Sequence, residues 1–139
     1  MEVGWKTRDV MLAVRDGEKE VYALARSVRA YGPLGVHPLA LALEKPRLDP
    51  LSWRIRMHHP EKRRLFRVTF IPSGRQLCFF KRKADAVAFC ERIYAEFHEV
   101  FDHAAKALTS YDEATKRLTT HPRWDDIKTR LREHQEGRL

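Results

Sequence analysis

Twelve basic residues fall between positions 44 and 83 (Lys45, Arg47, Arg54, Arg56, Lys62, Arg63, Arg64, Arg67, Arg75, Lys81, Arg82 and Lys83), against three acidic ones, Glu44, Asp49 and Glu61. The whole chain holds 27 Lys and Arg against 19 Asp and Glu, a net charge of +8. Outside the window the signs nearly cancel, so the excess is one patch. A run of charge is ordinarily solvated surface. Here its concentration, and the predominance of Arg over Lys, favours an anion-binding reading, because the guanidinium fork matches phosphate and carboxylate oxygens.

The residues suited to catalysis are less well arranged. His58-His59 are adjacent and precede a proline, so their side chains diverge and a shared metal is disfavoured. His98 and His103, five apart, fall on different faces of any helix. Asp125-Asp126 open a helix, where the macrodipole alone accounts for acid. Neither a phosphate-binding glycine loop nor a nucleophile elbow is present. Cys78 and Cys90 have no Cys-x-x-Cys spacing and no close histidine, which disfavours a zinc finger and a disulfide scaffold and points to a reducing compartment. The expectation is a protein that is not an enzyme and takes no cofactor.

The elements that position the cations follow from periodicity. Trp53, Ile55 and Met57 alternate with Arg54, Arg56 and His58, and Phe66, Val68 and Phe70 alternate with Arg67 and Thr69. His59 to Lys62 and Pro72-Ser73-Gly74 read as turns, and Arg75 to Lys81 as a third strand, giving a three-stranded antiparallel meander. From Ala84 the period becomes helical: Ala86, Phe89, Ile93, Phe97, Phe101 and Leu108 form one stripe. A helix of about 25 residues, roughly 37 Å long, overshoots three strands and needs a second partner. The C-terminus offers it. Ser110-Tyr111-Asp112-Glu113 is a capping box opening a helix through about Leu118, and Pro122 precedes another with Trp124, Ile127 and Leu131.

If the apolar set of the strands faces the long helix, parity puts Arg54, Arg56, Arg67, Thr69, Arg75, Leu77, Phe79 and Lys81 on the other face. The candidate nucleic-acid-binding residues are therefore Arg54, Arg56, Arg67, Arg75 and Lys81, with Phe79 to stack on a base or sugar and Lys62, Arg63 and Arg64 extending the patch from the first turn. Burial under the N-terminal arm is an equal alternative for Phe79 and Leu77.

The first third of the chain is ambiguous. Val21, Leu24, Ala25, Val28 and Tyr31 recur at helical spacing, predicting a helix near 18–31 stopped by Gly32-Pro33; Asp16-Gly17 could instead be a hairpin turn between strands. Pro33, Pro38, Pro46 and Pro50 make 32–51 an extended, wrapping arm. The 139 residues thus divide into an N-terminal helix and arm (1–51), a β-β-β-α nucleic-acid module (52–108) and a C-terminal helical extension (109–139), an α+β chain. No apolar run approaches the length of a membrane span, and Glu2, Asp9, Asp16 and Glu18 make the N-terminus unlike a secretory or transit signal.

The run Phe80-Lys81-Arg82-Lys83-Ala84-Asp85-Ala86-Val87-Ala88-Phe89 resembles the strand-to-helix junction of the Apetala-type and phage-integrase arm-binding DNA-binding superfamily, and the strand order before it also fits, over residues 52–95. Arg82 stands where that superfamily usually has Thr or Ser, and the plant members' Trp-Gly turn and Trp-Leu-Gly strand are absent. The resemblance implies a sheet face that contacts nucleic acid. Members act as DNA-binding regulators and, in some parasite mitochondria, as ribosomal proteins. The C-terminal run Tyr111 to Trp124 is similar to the second half of an FF domain, with His121 in place of its Asp, an analogy for helix packing only.

Lost plant-type readout with retained cations, together with an arm best ordered against other molecules, favours an RNA-binding structural protein of a large ribonucleoprotein assembly. Ribosomal RNA is preferred over DNA, neighbouring proteins would meet the arm and C-terminal helices, and no membrane is involved. The location would be a mitochondrial ribosome, or otherwise the cytoplasm or nucleus. Sequence-specific DNA binding is the first alternative. A protein-interaction module docking an acidic partner is the second.

Overall fold

In the computed structural model, the described residues are 4–16, 19–38, 41–44, 54–57, 65–106 and 110–135. They form an α+β protein in the order β1 (Trp5–Asp16), β2 (Lys19–Tyr31), β3 (Leu34–Pro38), β4 (Leu41–Glu44), β5 (Arg54–Met57), β6 (Phe66–Phe70), β7 (Arg75–Phe80), α1 (Lys83–Ala105), α2 (Tyr111–Thr119) and α3 (Trp124–Gln135). Five strands pair antiparallel in the succession β1-β2-β3-β6-β7. The β4-β5 pair joins the same sheet through one parallel bridge, Leu24 to Arg54.

Residues 19–31 are therefore a strand and not the helix that their spacing predicts. The reason is a β-bulge. β1 and β2 pair as a hairpin from Asp16↔Lys19 outward, and the register shifts between Arg8↔Val28 and Val10↔Ala25, so Asp9 faces both Arg26 and Ser27. Ser27 takes a left-handed backbone (φ 60°), and its N–H donates to Asp9 Oδ1 at 3.1 Å. The buried positions of β2 are Ala23 and Ala25, then Val28 and Ala30. Of the helical stripe Val21, Leu24, Ala25, Val28 and Tyr31 only Ala25 and Val28 are buried, and the three-residue step between them is the one that spans the bulge.

Residues 34–38 are likewise a strand within the region read as an arm. Pro33 lies just outside β3 and Pro38 ends it, positions where a missing N–H costs no interior ladder bond. Gly35 lets Val28 and Ile71 come close, since a Cβ there would sit 3.1 Å from Val28 Cγ1. β3 then occupies the edge of β6 that the meander assigns to Arg54–Met57, through Leu34↔Phe70 and Val36↔Val68. The three strands of the expected meander are not consecutive neighbours. β6 and β7 are a hairpin, while β5 lies across the sheet beside β2 and β4.

The long sheet curls back on itself. The Ala13 N–H donates to the Gly74 carbonyl at 2.8 Å, tying β1 to the β6–β7 turn, and Gly74 (φ 68°) leaves no space for a Cβ, which would lie 2.4 Å from the Met11 carbonyl oxygen. Val10, Leu12, Ala23, Ala25, Val28, Ala30 and Ile71 form a cluster in which three alanines permit this close approach.

The main core lies on the opposite face. Val68, Phe70, Cys78 and Phe80 pack against Phe89, Cys90, Ile93, Phe97 and Phe101 of α1. Each such large side chain contributes about 1.5–3 kcal/mol by leaving water. α1 departs from helical dihedrals at Phe97 (φ −125°, ψ 25°). α2 and α3 pack on the same core beside α1: Ala114, Leu118 and Ile127 are buried, and Trp124 and Leu131 pack against them. The apolar stripe of α3 is thus used within the molecule. Ser110 caps α2 as its spacing requires, its hydroxyl accepting the Glu113 N–H at 3.0 Å. Among the described residues no helix is long and apolar enough to cross a membrane.

Candidate functional site

The cations of the window separate into groups with different environments. Arg67, placed on the outer face by parity, is buried (6% exposed) because the curled β1–β2 hairpin covers that face of β6. Its Nε–H donates to Thr69 Oγ1 at 2.8 Å and its Nη2 to the Gly74 carbonyl at 2.7 Å, with a longer contact of 3.4 Å from Nη1 to the Ala13 carbonyl. Burial lowers its pKa to about 10. Arg67 binds the fold together and is not presented to a ligand. Thr69 is also fully buried.

Beyond Arg67 lies a chain of polar contacts that the sequence analysis missed. His37, itself buried, has Nδ1 3.0 Å from the Pro38 carbonyl and Nε2 2.9 Å from Thr69 Oγ1. A carbonyl only accepts, so Nδ1 carries the proton and Nε2 receives the threonine hydroxyl hydrogen. The direction is consistent throughout: Arg67 Nε–H to Thr69 Oγ1, Thr69 O–H to His37 Nε2, His37 Nδ1–H to Pro38. Desolvation, with a smaller push from Arg67, lowers the His37 pKa to about 4. A threonine between a neutral imidazole and a guanidinium has the composition of an activated nucleophile. Being fully buried, Thr69 meets no substrate, and the network is structural.

Arg75 is half-exposed and engaged. Its two terminal nitrogens donate to Glu20 at 2.9 and 2.6 Å, and Asp112 lies 3.8 Å away. Its charge is already largely matched. Leu77, also placed on the outer face, packs instead against the α1 core: the register shift between Val68↔Cys78 and Thr69↔Gln76 makes it the extra residue of a bulge. Arg54 and Arg56 stand in β5 opposite Glu44 and Ala42. Lys62, Arg63 and Arg64, and the His58-His59 pair, lie outside the described residues.

Phe79 and Lys81 remain. Phe79 is 43% exposed, one of two large apolar side chains so open among the described residues. Lys81, Arg82 and Lys83 follow it, all exposed, and none has a carboxylate partner among the described residues. They occupy the bend where β7 gives way to α1, so an exposed aromatic ring and three exposed cations lie close together in the chain. The corner is braced from behind. His134 of α3 donates from Nε2 to the Phe79 carbonyl at 3.0 Å and stacks on Phe80 with ring centroids 3.8 Å apart. α3 is held in place by Arg130, which pairs with Glu96 of α1 at 2.8 Å. The signal for this brace was in the sequence: Ile127, Leu131 and His134 continue a single helical stripe.

Between α1, α3 and the end of β7 lies a cavity of about 230 Å³, lined by Phe80, Phe89, His134, Asp85 and Arg92 among others. Cys78 and Cys90 are free and buried; burial pushes the Cys78 thiol up to about 12 and the Cys90 thiol higher still, so neither is a nucleophile at neutral pH. Among the described residues no group of His, Cys, Asp or Glu is arranged to hold a metal ion. The chain matches no family model, no curated protein and no solved structure.

Proposed function

We propose that the protein binds nucleic acid through the β7–α1 corner, with Lys81, Arg82 and Lys83 on the phosphates and Phe79 on a base. The observation that carries this reading is the juxtaposition of an exposed aromatic ring with three cations that have no carboxylate partner among the described residues, in a chain of net charge +8. An exposed ring stacks on an unpaired base, which a duplex does not offer, so single-stranded or looped RNA suits the corner better than double-stranded DNA. The setting that fits best is a ribonucleoprotein particle such as a ribosome, in which the corner grips RNA backbone.

The test is a binding titration of a labelled single-stranded RNA at several salt concentrations. Each neutralised phosphate contributes a slope of about 0.7 in log K against log salt on single strands, so replacing all three cations by alanine lowers the slope by about 2. Phe79→Ala weakens binding about fivefold or more without changing the slope. Unchanged affinity and slope in the triple variant would refute the site. Purification of the native protein addresses the setting: ribosomal RNA in a heavy particle supports it, and enrichment of a short duplex DNA motif overturns it in favour of DNA recognition.

A further inference from the structure

β1 has an edge that the sheet does not use. Its ladder partner is β2, and in an antiparallel pair alternate residues turn their N–H and C=O groups toward the partner or away from it. The Ala13 N–H, bonded to the Gly74 carbonyl, fixes the phase: Trp5, Thr7, Asp9, Met11 and Ala13 turn theirs outward. That phase holds along β1 because the extra residue of the bulge belongs to β2, where Arg26 and Ser27 together face Asp9. Gly74 covers the edge at Met11 and Ala13. The outward backbone groups of Trp5, Thr7 and Asp9 have no partner among the described residues.

The same stretch is open on both faces. Lys6, Thr7, Arg8 and Asp9 are all exposed, whereas Val10 and Leu12 further along the strand are buried. The stretch is nevertheless held extended from both ends, by the Ala13 tie and by Trp5, whose indole N–H donates to Glu91 of α1 at 3.0 Å and whose ring lies 5.1 Å from that of Tyr31. Lys6 and Arg8, two residues apart, stand on one face, and neither has a carboxylate partner among the described residues. The acid beside them, Asp9, is engaged with the Ser27 N–H. Arg26 and Arg29, exposed on the adjoining strand, add to the positive charge.

We propose that this edge takes up an extended acidic segment of a partner protein as an added strand. A row of alternating N–H and C=O groups is matched in full by another peptide main chain, whereas phosphates offer acceptors alone and leave the carbonyls unmet. Lys6 and Arg8 supply the selection: an added strand with Asp or Glu at two positions two apart sets a carboxylate beside each cation. The same pair disfavours a second copy of this chain, since an antiparallel match centred on Thr7 would set Lys6 against Arg8. The proposal uses none of the residues of the β7–α1 corner and stands apart from the nucleic-acid reading.

The test titrates the full chain against labelled, end-blocked peptides of alternating Thr-Glu, of alternating Thr-Lys, and of Thr-Glu with N-methylated amides, by fluorescence anisotropy. Wild type binds Thr-Glu at least about tenfold more tightly than either of the others, and hydrogen exchange slows at the Thr7 and Asp9 amides in the complex. Joint Lys6→Glu and Arg8→Glu substitution reverses the preference to Thr-Lys, a gain that misfolding does not produce. Thr7→Pro removes an outward N–H without costing a bond to β2 and weakens Thr-Glu by about fivefold or more. Alanine at Lys81, Arg82 and Lys83 leaves Thr-Glu binding unchanged. Failure of wild type to bind Thr-Glu, or equal binding of the N-methylated peptide, overturns the proposal, as does loss of binding in the triple alanine variant, which would move the peptide to the corner. A dimer of the free protein that Thr7→Pro dissolves would make a second copy the occupant and overturns it too. So does oligouridine that displaces the peptide with an affinity lost on Lys6→Glu and Arg8→Glu but kept in Thr7→Pro, which would make the surface a phosphate site.

Discussion

Acidification should destabilise this protein through a buried histidine, His37. The imidazole is buried and neutral, with Nε2 occupied by the Thr69 hydroxyl hydrogen and the Arg67 guanidinium just beyond. Protonation would set an N–H against an O–H and a second cation near Arg67, and the His37 pKa is lowered from 6.5 to about 4. The unfolded chain binds this proton below pH 6.5 and the folded one only near pH 4. Between those values the unfolded state carries more protons, so stability falls as pH falls. The full displacement corresponds to about 3 kcal/mol, of which about 2.5 kcal/mol is lost between pH 7.5 and 4.5. For a domain whose total stability is about 5–15 kcal/mol this is a large fraction, and a melting temperature should drop by about 8–10 °C. Urea denaturation of wild type and His37→Gln at half-unit pH steps isolates the contribution, because every other titrating group is common to both. His37→Gln should be less stable at pH 7.5 and show a flatter profile between pH 6.5 and 4. Parallel profiles over that range would refute the assignment of a neutral, hydroxyl-bonded His37.

Two further substitutions test the curl of the sheet by the same denaturation assay. Arg67→Ala removes a packed stem and three hydrogen bonds and should cost about 2–4 kcal/mol, whereas Arg67→Met loses the same hydrogen bonds but keeps the stem, and should cost about 1–2 kcal/mol less than Arg67→Ala. Gly74→Ala places a Cβ 2.4 Å from the Met11 carbonyl at a φ of 68°, and should cost at least about 3 kcal/mol, with loss of hydrogen-exchange protection at the Ala13 amide.

Local patterns were legible in the sequence to the extent that one element decided them. The stripe of α1, the Ser110 cap and the β6–β7 hairpin follow from spacing within a few turns or a single reversal. Pairing between distant strands left no such trace. β6 takes β3 as its neighbour across 27 intervening residues, and nothing in the alternation of Phe66, Val68 and Phe70 distinguishes β3 from β5 as that partner. The bulge at Ser27 is harder still to see, because one inserted residue breaks the strand's alternation with a three-residue step from Ala25 to Val28, which is also a helical step.

The same physics separates the cations that parity grouped together. Alternation assigns a residue to one of two faces of a sheet, and it identifies the exposed face only while the sheet stays flat with one side open. Here β1 crosses to the β6–β7 turn, so the face opposite α1 has its own interior, and Arg67 and Thr69 lie inside it. Arg75 meets Glu20 for the same reason, since the hairpin that covers Arg67 brings the start of β2 alongside β7. At Phe79, near the end of β7, and at Lys81 just after it, the parity assignment and the exposure coincide. The candidate site therefore contracts from a sheet face to a corner, and closure of the hairpin over β6 decides where that corner begins.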